Sequence, residues 1–197
     1  MMKRSLLTFF LLFLVIIILR TSVIGVFYVQ SNSMQPLINK GDGIIVNQLA
    51  FGATLPWLTQ PSLNWSLPEH GDIVVFHNAN DNDELWLKRV IGLPGDVIQF
   101  QDHKLFLNGL VISSSDRKQE VITISEVKQR KYPTWTSWLE EDWGPITVSK
   151  DTIFVMGDHR GASIDSRVWG SIAIQSLRGR ATYRFWPISE YAILSDK

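Results

Sequence analysis

Apolar residues are most concentrated at the N-terminus of the chain. An uncharged, mainly apolar run extends from Leu6 to Leu19, Arg20 interrupts it, and apolar residues resume towards Phe27. As a helix rising about 1.5 Å per residue, the segment from Leu6 to Phe27 is long enough to span a hydrocarbon core about 30 Å thick. We therefore predict one N-terminal transmembrane helix, with Arg20 snorkelling at the far interface.

A cleaved signal peptide is the alternative interpretation of this run, because its uninterrupted part is short. No clear A-x-A cleavage site follows, and the apolar character continues past Arg20, so a retained anchor is favoured. Lys3 and Arg4 place the N-terminus in the cytoplasm by the positive-inside rule. The prediction is a single-pass protein of the cell membrane, with a cytoplasmic N-terminus and anchor over residues 1–27 and an extracytoplasmic domain over residues 28–197.

Beyond the anchor, the pattern changes to short β-branched and aromatic runs separated by Gly, Asp and Pro turn signals. These runs predict strands at 43–46, 72–76, 86–91, 97–100, 105–107, 110–112, 121–124, 152–156 and 181–186. Helix-period patterns are nearly absent, which predicts a mainly β fold. Residues 53–69 and 113–145 look inserted, and the second stretch is interpreted as part of a smaller β subdomain at about residues 98–150.

Composition narrows the function classes. The chain has 197 residues and a formal net charge of +0, so a nucleic-acid partner is not expected. It has no cysteine, which excludes a disulfide framework, a thiolate zinc site and a cysteine protease. The four histidines lack metal-ligand spacing, and no P-loop or dinucleotide fingerprint occurs, so no metal and no cofactor is predicted. Trp57 and Trp65 lie in a Pro-rich loop and are either core filler or contacts with the membrane interface.

Lys88 is a candidate base because its strand is apolar on both faces. Period-2 alternation places Trp86, Lys88 and Val90 on one face of the strand, and Leu87, Arg89 and Ile91 on the other face. The simplest alternative is a strand whose lysine points to solvent. If both faces are covered, however, one cation is desolvated, and burial lowers the pKa of a lysine. Arg89 cannot act as the base, since arginine stays charged.

Ser33 is the matching candidate nucleophile, since a serine needs a base to become nucleophilic. It lies in the Ser-Asn-Ser-Met-Gln-Pro stretch of residues 31–36, close to the outer end of the anchor. Taken alone, such a stretch is more often an ordinary turn. A third polar motif, residues 157–170, is either a surface loop with an exposed Asp165–Arg167 pair or a shell that holds the lysine and the nucleophile.

These stretches together resemble the bacterial type I signal peptidases, which are serine proteases with a Ser/Lys dyad. Residues 31–36 resemble the family's S-x-S-M-x-P box, and residues 71–76 (Gly-Asp-Ile-Val-Val-Phe) resemble its G-D-I-V-V-F strand. Residues 88–96 (Lys-Arg-Val-Ile-Gly-Leu-Pro-Gly-Asp) and 157–170 are similar to its two remaining boxes. The resemblance covers nearly the whole chain and implies a signal-peptidase-like β catalytic core.

The resemblance also implies a role for each matching residue. Ser33 would attack the scissile carbonyl, Lys88 would be the general base, and Ser31 would help stabilise the oxyanion. Ser163 would hydrogen-bond the lysine amine, and Asp165 and Arg167 would form a supporting ion pair. Shallow apolar pockets for small substrate residues would be bordered by Phe27, Val29, Met34, Trp86 and Leu87. The implied partners are secretory preproteins with signal peptides, the membrane bilayer and the protein-export machinery.

Some positions depart from the family pattern, namely Gln30, Asn32, Leu37, His159, Gly161 and Ala162. The dyad residues and Ser163 are intact, so the departures bear on substrate preference. Four interpretations remain open: a signal-peptide-removing endopeptidase, a specialised preprotein peptidase with a narrow substrate range, a catalytically silent binding or assembly module, and a self-cleaving Ser/Lys protease. The anchor and the lack of a DNA-binding segment disfavour the last one.

Overall fold

The structure, a computed structural model, describes residue 6 and residues 8–13, 23–53, 63–78, 84–112 and 142–194. Most regular structure within these residues is β-strand, which confirms the predicted mainly β fold. The strands are β1 (Ile24–Tyr28), β2 (Gly43–Asn47), β3 (Gly52–Ala53), β4 (Leu63–Asn64), β5 (Ile73–Asn78), β6 (Glu84–Gly92), β7 (Val97–Gln101), β8 (Lys104–Leu107), β9 (Leu110–Ile112), β10 (Trp143–Thr147), β11 (Thr152–Met156), β12 (Ile172–Ala173), β13 (Leu177–Trp186) and β14 (Ala192–Ile193). A one-turn helix, α1, spans Ser166–Trp169, and 3-10 turns span Arg160–Ala162, Ile174–Ser176 and Ile188–Glu190.

The described strands form one large and two smaller antiparallel sheets. The order in the large sheet is β1-β2-β13-β5-β6-β11-β12, with β14 paired to β13. The second sheet has the order β10-β7-β8-β9, and β3 pairs with β4. Within the large sheet β5 and β6 are antiparallel neighbours, so Val74 lies opposite Lys88. This register fixes the position of Lys88 along the strand relative to β5.

The core lies on both faces of the large sheet. On β5, Ile73 and Val75 join one buried cluster, and Val74 and Phe76 join another. A strand covered on both faces reads as a continuous apolar run, as β5 does. A third cluster combines residues of the large sheet such as Phe154 with Ile98 and other residues of the second sheet, so the two sheets share buried apolar surface.

The predicted strands are confirmed wherever the structure describes them, with shifted ends. Eight of the predicted segments overlap observed strands, and the last one begins earlier, at Leu177. The strand predicted at 121–124 lies outside the described residues. β7 to β10 lie in or next to the predicted inserted subdomain, but residues 113–141 are outside the described part of the chain, so the subdomain and its limits stay a prediction.

The predicted end of the transmembrane helix at Phe27 is wrong. Residues from Ile24 onward form β1, which pairs with β2 from Ile24 opposite Asn47 to Tyr28 opposite Gly43. β1 carries apolar side chains on its exposed face as well as on its inner face, and for this reason it resembled a continuation of the anchor.

Leu6 and residues 8–13 are helical. A helix of sufficient length and apolarity to cross a membrane is not found among the described residues. Residues 14–22 of the predicted span lie outside them, as does Trp57. Trp65 is exposed, and its indole N–H donates a hydrogen bond to the Leu49 carbonyl at 3.0 Å.

Candidate active site

Ser33 and Lys88, which are 55 residues apart in sequence, meet in the structure. Lys88 Nζ lies 2.8 Å from Ser33 Oγ, within hydrogen-bond distance. Ser33 lies in the turn between β1 and β2, and Lys88 lies on β6. Ser33 is 7% exposed and Lys88 is 3% exposed. The contact therefore joins a hydroxyl and an amine in a site that is nearly closed to solvent.

Burial changes the acidity of the Lys88 ammonium group. Desolvation lowers the pKa of Lys88 from 10.5 to about 8. Asp165 and Asp158 act in the opposite direction because negative charge favours the ammonium form, whereas the Arg167 charge lowers the pKa further. The Trp86 ring lies on the same face of β6, with its centroid 5.2 Å from Nζ. A neutral amine is accessible at mildly alkaline pH, so Lys88 has the chemistry of a general base.

Two potential hydrogen-bond donors lie close to the Ser33 hydroxyl, namely the Ser31 hydroxyl and the backbone N–H of Ser33 itself. Ser31 Oγ is 3.2 Å from Ser33 Oγ. The backbone N–H of Ser33 donates to no acceptor in the described part of the chain. It is therefore available to a ligand oxygen beside the nucleophile, as an oxyanion site requires.

Asp165 and Arg167 form a buried ion pair, not an exposed one. Arg167 Nε donates to Asp165 Oδ1 at 2.8 Å, and Nη2 donates to Oδ2 at 2.9 Å. Asp165 also accepts from the Gly157 N–H, and Arg167 donates to the Arg160 carbonyl. Although burial works against the carboxylate, the hydrogen bonds and charge of Arg167 lower the pKa of Asp165 below its ordinary value. The pair ties α1 to the loop that follows β11.

Ser163 is buried next to this loop without the contact predicted for it. Its Oγ has no hydrogen-bond partner among the described residues, so the expected bond to the Lys88 amine is not present. The hydroxyl nevertheless lies near Asp165 and helps to lower the pKa of that carboxyl. The role predicted for Ser163 therefore stays a prediction.

Sequence reasoning missed a second ion pair beside the dyad. Arg89 Nε donates to Asp158 Oδ1 at 2.7 Å, and Nη2 donates to Oδ2 at 2.6 Å. This bidentate pair joins β6 to the start of the loop after β11. The signal was the pairing of β6 with β11, which brings Arg89 opposite Met156, two residues before Asp158. Arg89 was considered only as a possible base and excluded on that ground.

A cleft of about 850 Å³ opens in front of the dyad. Four of the predicted substrate-contacting residues line it, namely Phe27, Val29, Trp86 and Leu87. Met34 does not, because it is 1% exposed and lies in the buried cluster behind the cleft wall.

The positions that depart from the family pattern divide into two groups. Four of them line the cleft, namely Gln30, Asn32, Gly161 and Ala162. Leu37 packs against the core, and His159 lies beside the nucleophile loop. The Asn32 side chain turns to the adjacent loop, where its Oδ1 accepts from the Lys40 N–H at 3.3 Å. No group of three His, Asp or Glu side chains within the described residues is arranged to hold a metal ion.

Comparisons of the whole chain with known proteins identify its family. A family model described as signal peptidase, peptidase S26, matches residues 2–186. The chain is similar to signal peptidase I of Bacillus caldolyticus, with 33% identity over 90% of this chain and 88% of that protein. It is also similar to signal peptidase I of Pseudomonas aeruginosa, with 31% identity over 91% of this chain and 72% of that protein.

A solved signal peptidase I from Enterococcus faecalis V583 is 27% identical, covers 59% of this chain and 98% of that one, and has a TM-score of 0.43. Because the family model spans most of the sequence, the chain belongs to the signal peptidase family, peptidase S26, and is a serine endopeptidase of the bacterial type I signal peptidase class.

Proposed function

We propose that this protein removes N-terminal signal peptides from exported preproteins, with Ser33 as the nucleophile and Lys88 as the general base. The observation that carries the proposal is the buried contact of 2.8 Å between Lys88 Nζ and Ser33 Oγ. Desolvation gives the amine a pKa of about 8, so the neutral form is a minor species near neutral pH and predominates at mildly alkaline pH. The names of the related proteins agree with this substrate class.

The reaction proceeds as acyl transfer. Neutral Lys88 takes the proton of the Ser33 hydroxyl while Oγ attacks the scissile carbonyl carbon. The Ser33 N–H and the Ser31 hydroxyl stabilise the oxyanion that forms. The tetrahedral intermediate then collapses, the peptide C–N bond breaks, and Lys88 returns the proton to the leaving amine. Water activated by the neutral lysine hydrolyses the ester on Ser33.

The polar shell around the dyad positions it and sets its electrostatics. The Asp165–Arg167 and Arg89–Asp158 pairs hold the loop after β11 against α1 and β6. Their charges partly cancel near Lys88, so burial dominates the pKa of that amine. Ser163 is buried within the same shell.

Substrates would be cleaved after small residues. Val29, Trp86, Phe27 and Leu87 line the cleft together with the dyad. Apolar side chains that narrow the cleft leave only shallow pockets for the substrate residues one and three positions before the scissile bond. The polar residues Gln30 and Asn32 also line the cleft, and they would favour a narrow range of substrates.

The enzyme would act at the outer surface of the cell membrane. The uncharged run from Leu6 to Leu19, preceded by Lys3 and Arg4, supports a single anchor with a cytoplasmic N-terminus. An anchor confines enzyme and signal peptide to one bilayer, which raises their effective concentration. The protein-export machinery would deliver the preprotein to this place.

Cleavage of a model preprotein by the full-length protein in detergent micelles tests the function. Wild type should release the mature protein, whereas Ser33→Ala and Lys88→Ala should each lower kcat/KM at least about a thousandfold. The double variant should be little worse than either single one, because the two groups act as a unit. Ser66→Ala and Lys104→Ala, at exposed positions outside the cleft, are the matched controls.

Wild type that binds the preprotein without cutting it would instead support a silent binding module. Cleavage retained in either dyad variant would contradict the roles assigned to Ser33 and Lys88.

A further inference from the structure

His159 contacts the peptide carbonyls on both sides of the nucleophile. Its backbone N–H donates to the Ser33 carbonyl at 3.0 Å. Its ring Nδ1 lies 3.3 Å from the Asn32 carbonyl oxygen. The roles described so far involve neither contact. His159 follows β11 and Asp158, so the loop that carries it is held by the Arg89–Asp158 ion pair.

The loop approaches Ser33 so closely that position 157 requires glycine. A Cβ at Gly157 would overlap both the Ser33 carbonyl oxygen and Ser163 Oγ. The backbone of residues 157–159 therefore packs directly on the backbone of the nucleophile. Because it is fixed in this way, the His159 ring is held against the Asn32 carbonyl.

The Asn32 carbonyl and the Ser33 N–H belong to one planar peptide unit. The Ser33 N–H has no acceptor among the described residues and is the backbone donor that the proposed mechanism directs at the oxyanion. A hydrogen bond to the carbonyl end of a peptide polarises the whole unit and strengthens its N–H as a donor. The same bond also restricts rotation of the peptide plane, so the donor stays aimed at one point.

We propose that His159 is a positioning residue for catalysis, which donates from Nδ1–H to the Asn32 carbonyl and thereby orients and polarises the Ser33 N–H of the oxyanion site. This inference rests on the proposed function. A carbonyl oxygen only accepts, so Nδ1 must carry a proton. The neutral Nδ1–H tautomer and the imidazolium both meet this condition, so the effect does not depend on the charge of the ring.

Substitutions of similar shape separate the hydrogen bond from packing. Asn places an amide N–H₂ at the position of Nδ1, because both nitrogens are bonded to Cγ, whereas Leu has the same branching and no donor. His159→Leu should lower kcat about tenfold, on the scale of one lost hydrogen bond, with KM nearly unchanged, because the oxyanion exists only after attack. His159→Asn should retain kcat within about threefold of wild type.

A peptide aldehyde that matches the substrate gives a second readout. Ser33 Oγ adds to the aldehyde carbon, the hydroxyl proton passes to Lys88, and the carbonyl oxygen becomes the oxyanion of a hemiacetal. His159→Leu should weaken aldehyde binding about as much as it lowers kcat, whereas binding of the cleaved product peptide should not change. A purely structural role would weaken both ligands alike.

The outcomes are separable from those for the proposed function. If wild type does not cleave preprotein, the proposed function fails and this inference fails with it. If wild type cleaves and His159→Leu retains full kcat, loses only in KM, or resembles His159→Asn, this inference alone is wrong. Should Leu prevent folding, judged by thermal unfolding, His159→Ala takes its place in the same comparison with Asn.

Discussion

Burial of Lys88 has opposite consequences for catalysis and for stability. The folded protein lowers the pKa of this amine from 10.5 to about 8, whereas the unfolded chain leaves it solvated. Between these two pH values the unfolded state binds more protons, so the stability contributed by this group rises with pH. Below about pH 8 the folded state must carry a buried ammonium, at a cost of roughly 3 kcal/mol.

Replacement of Lys88 by methionine should therefore inactivate the enzyme and stabilise its fold. At pH 6 to 7 we expect Lys88→Met to raise the free energy of unfolding by up to about 3 kcal/mol, reduced by the lost contact with Ser33. Above about pH 10.5 the gain should vanish, because both side chains are then uncharged. Urea unfolding across this pH range, with Lys104→Met as the exposed control, measures the difference. A gain that is independent of pH would contradict desolvation as its cause.

The activity of wild type should follow the same ionisation. Since only the neutral amine can accept the Ser33 proton, kcat/KM should rise with pH and level off above an apparent pKa of about 8. An alkaline limb that follows an unperturbed lysine near 10.4 would argue against Lys88 as the base.

At the scale of elements, β1 and β6 both contribute residues to the lining of the cleft. Val29 immediately follows β1, and Trp86 and Leu87 lie on β6, so the proposed substrate pockets combine two strands that are far apart in sequence. If the proposed pockets are shallow, preproteins with Phe or Leu one or three positions before the scissile bond should be cleaved at least about a hundredfold less efficiently than those with Ala. Equal cleavage of bulky and small variants would contradict these pockets.

A control variant at Asn32 separates the effect of the apolar lining residues on substrate preference from that of the polar residues at the edge of the cleft. Asn32 lines the cleft, but its side chain accepts a hydrogen bond from the Lys40 N–H and so is held partly away from it. If the polar rim narrows the substrate range, Asn32→Gly should accept a wider set of residues while the bulky variants stay poor. An unchanged profile would leave the preference to the apolar walls alone.

At the scale of the whole molecule, the buried Asp165–Arg167 pair links folding to acid pH. The pKa of the Asp165 carboxyl is lowered in the folded state. The stabilisation from this carboxylate is therefore fully present above the unfolded pKa near 3.8, and it is lost as pH falls through the folded pKa. Asp72 acts in the opposite direction, since burial raises its pKa. The free energy of unfolding at acid pH therefore contains both contributions, and a comparison with an Asp165 variant is needed to isolate the contribution of Asp165.

Asp165→Asn should lower the free energy of unfolding at pH 7 by roughly 3 to 5 kcal/mol, because it leaves the buried Arg167 without its counter-charge. The deficit should shrink as pH falls below about 3.8, because the unfolded wild-type chain then binds a proton at Asp165 that the folded protein does not bind until pH reaches the lowered folded pKa. Asp151→Asn, at an exposed position, is the control. Chemical unfolding at pH 7 and pH 3 gives both differences, and a deficit that is equal at the two pH values would contradict the assigned role.

The sequence by itself predicted most of the described strands of the large and second sheets and supplied the candidate reactive groups. The β-branched run from Ile73 to Phe76 after a Gly-Asp turn predicts a strand, which the structure buries on both faces, and the alternation around Lys88 predicts that it shares a face with Trp86. Local pattern failed at β1, whose two faces are both apolar, so that strand and anchor looked alike until its pairing with β2 was known.

Only the tertiary structure decided which polar groups meet. Periodicity places a side chain on a face, but it does not show which loop from another part of the chain covers that face. The contact of Lys88 with Ser33, the Arg89–Asp158 pair and the approach of His159 to the Asn32 carbonyl each join residues at least 55 positions apart. The motifs assign Met34 to the cleft and Ser163 to the lysine, yet Met34 is buried in the core and Ser163 Oγ makes no hydrogen bond to the Lys88 amine. Sequence motifs therefore supply the reactive groups, and long-range packing sets their distances, their burial and hence their pKa values.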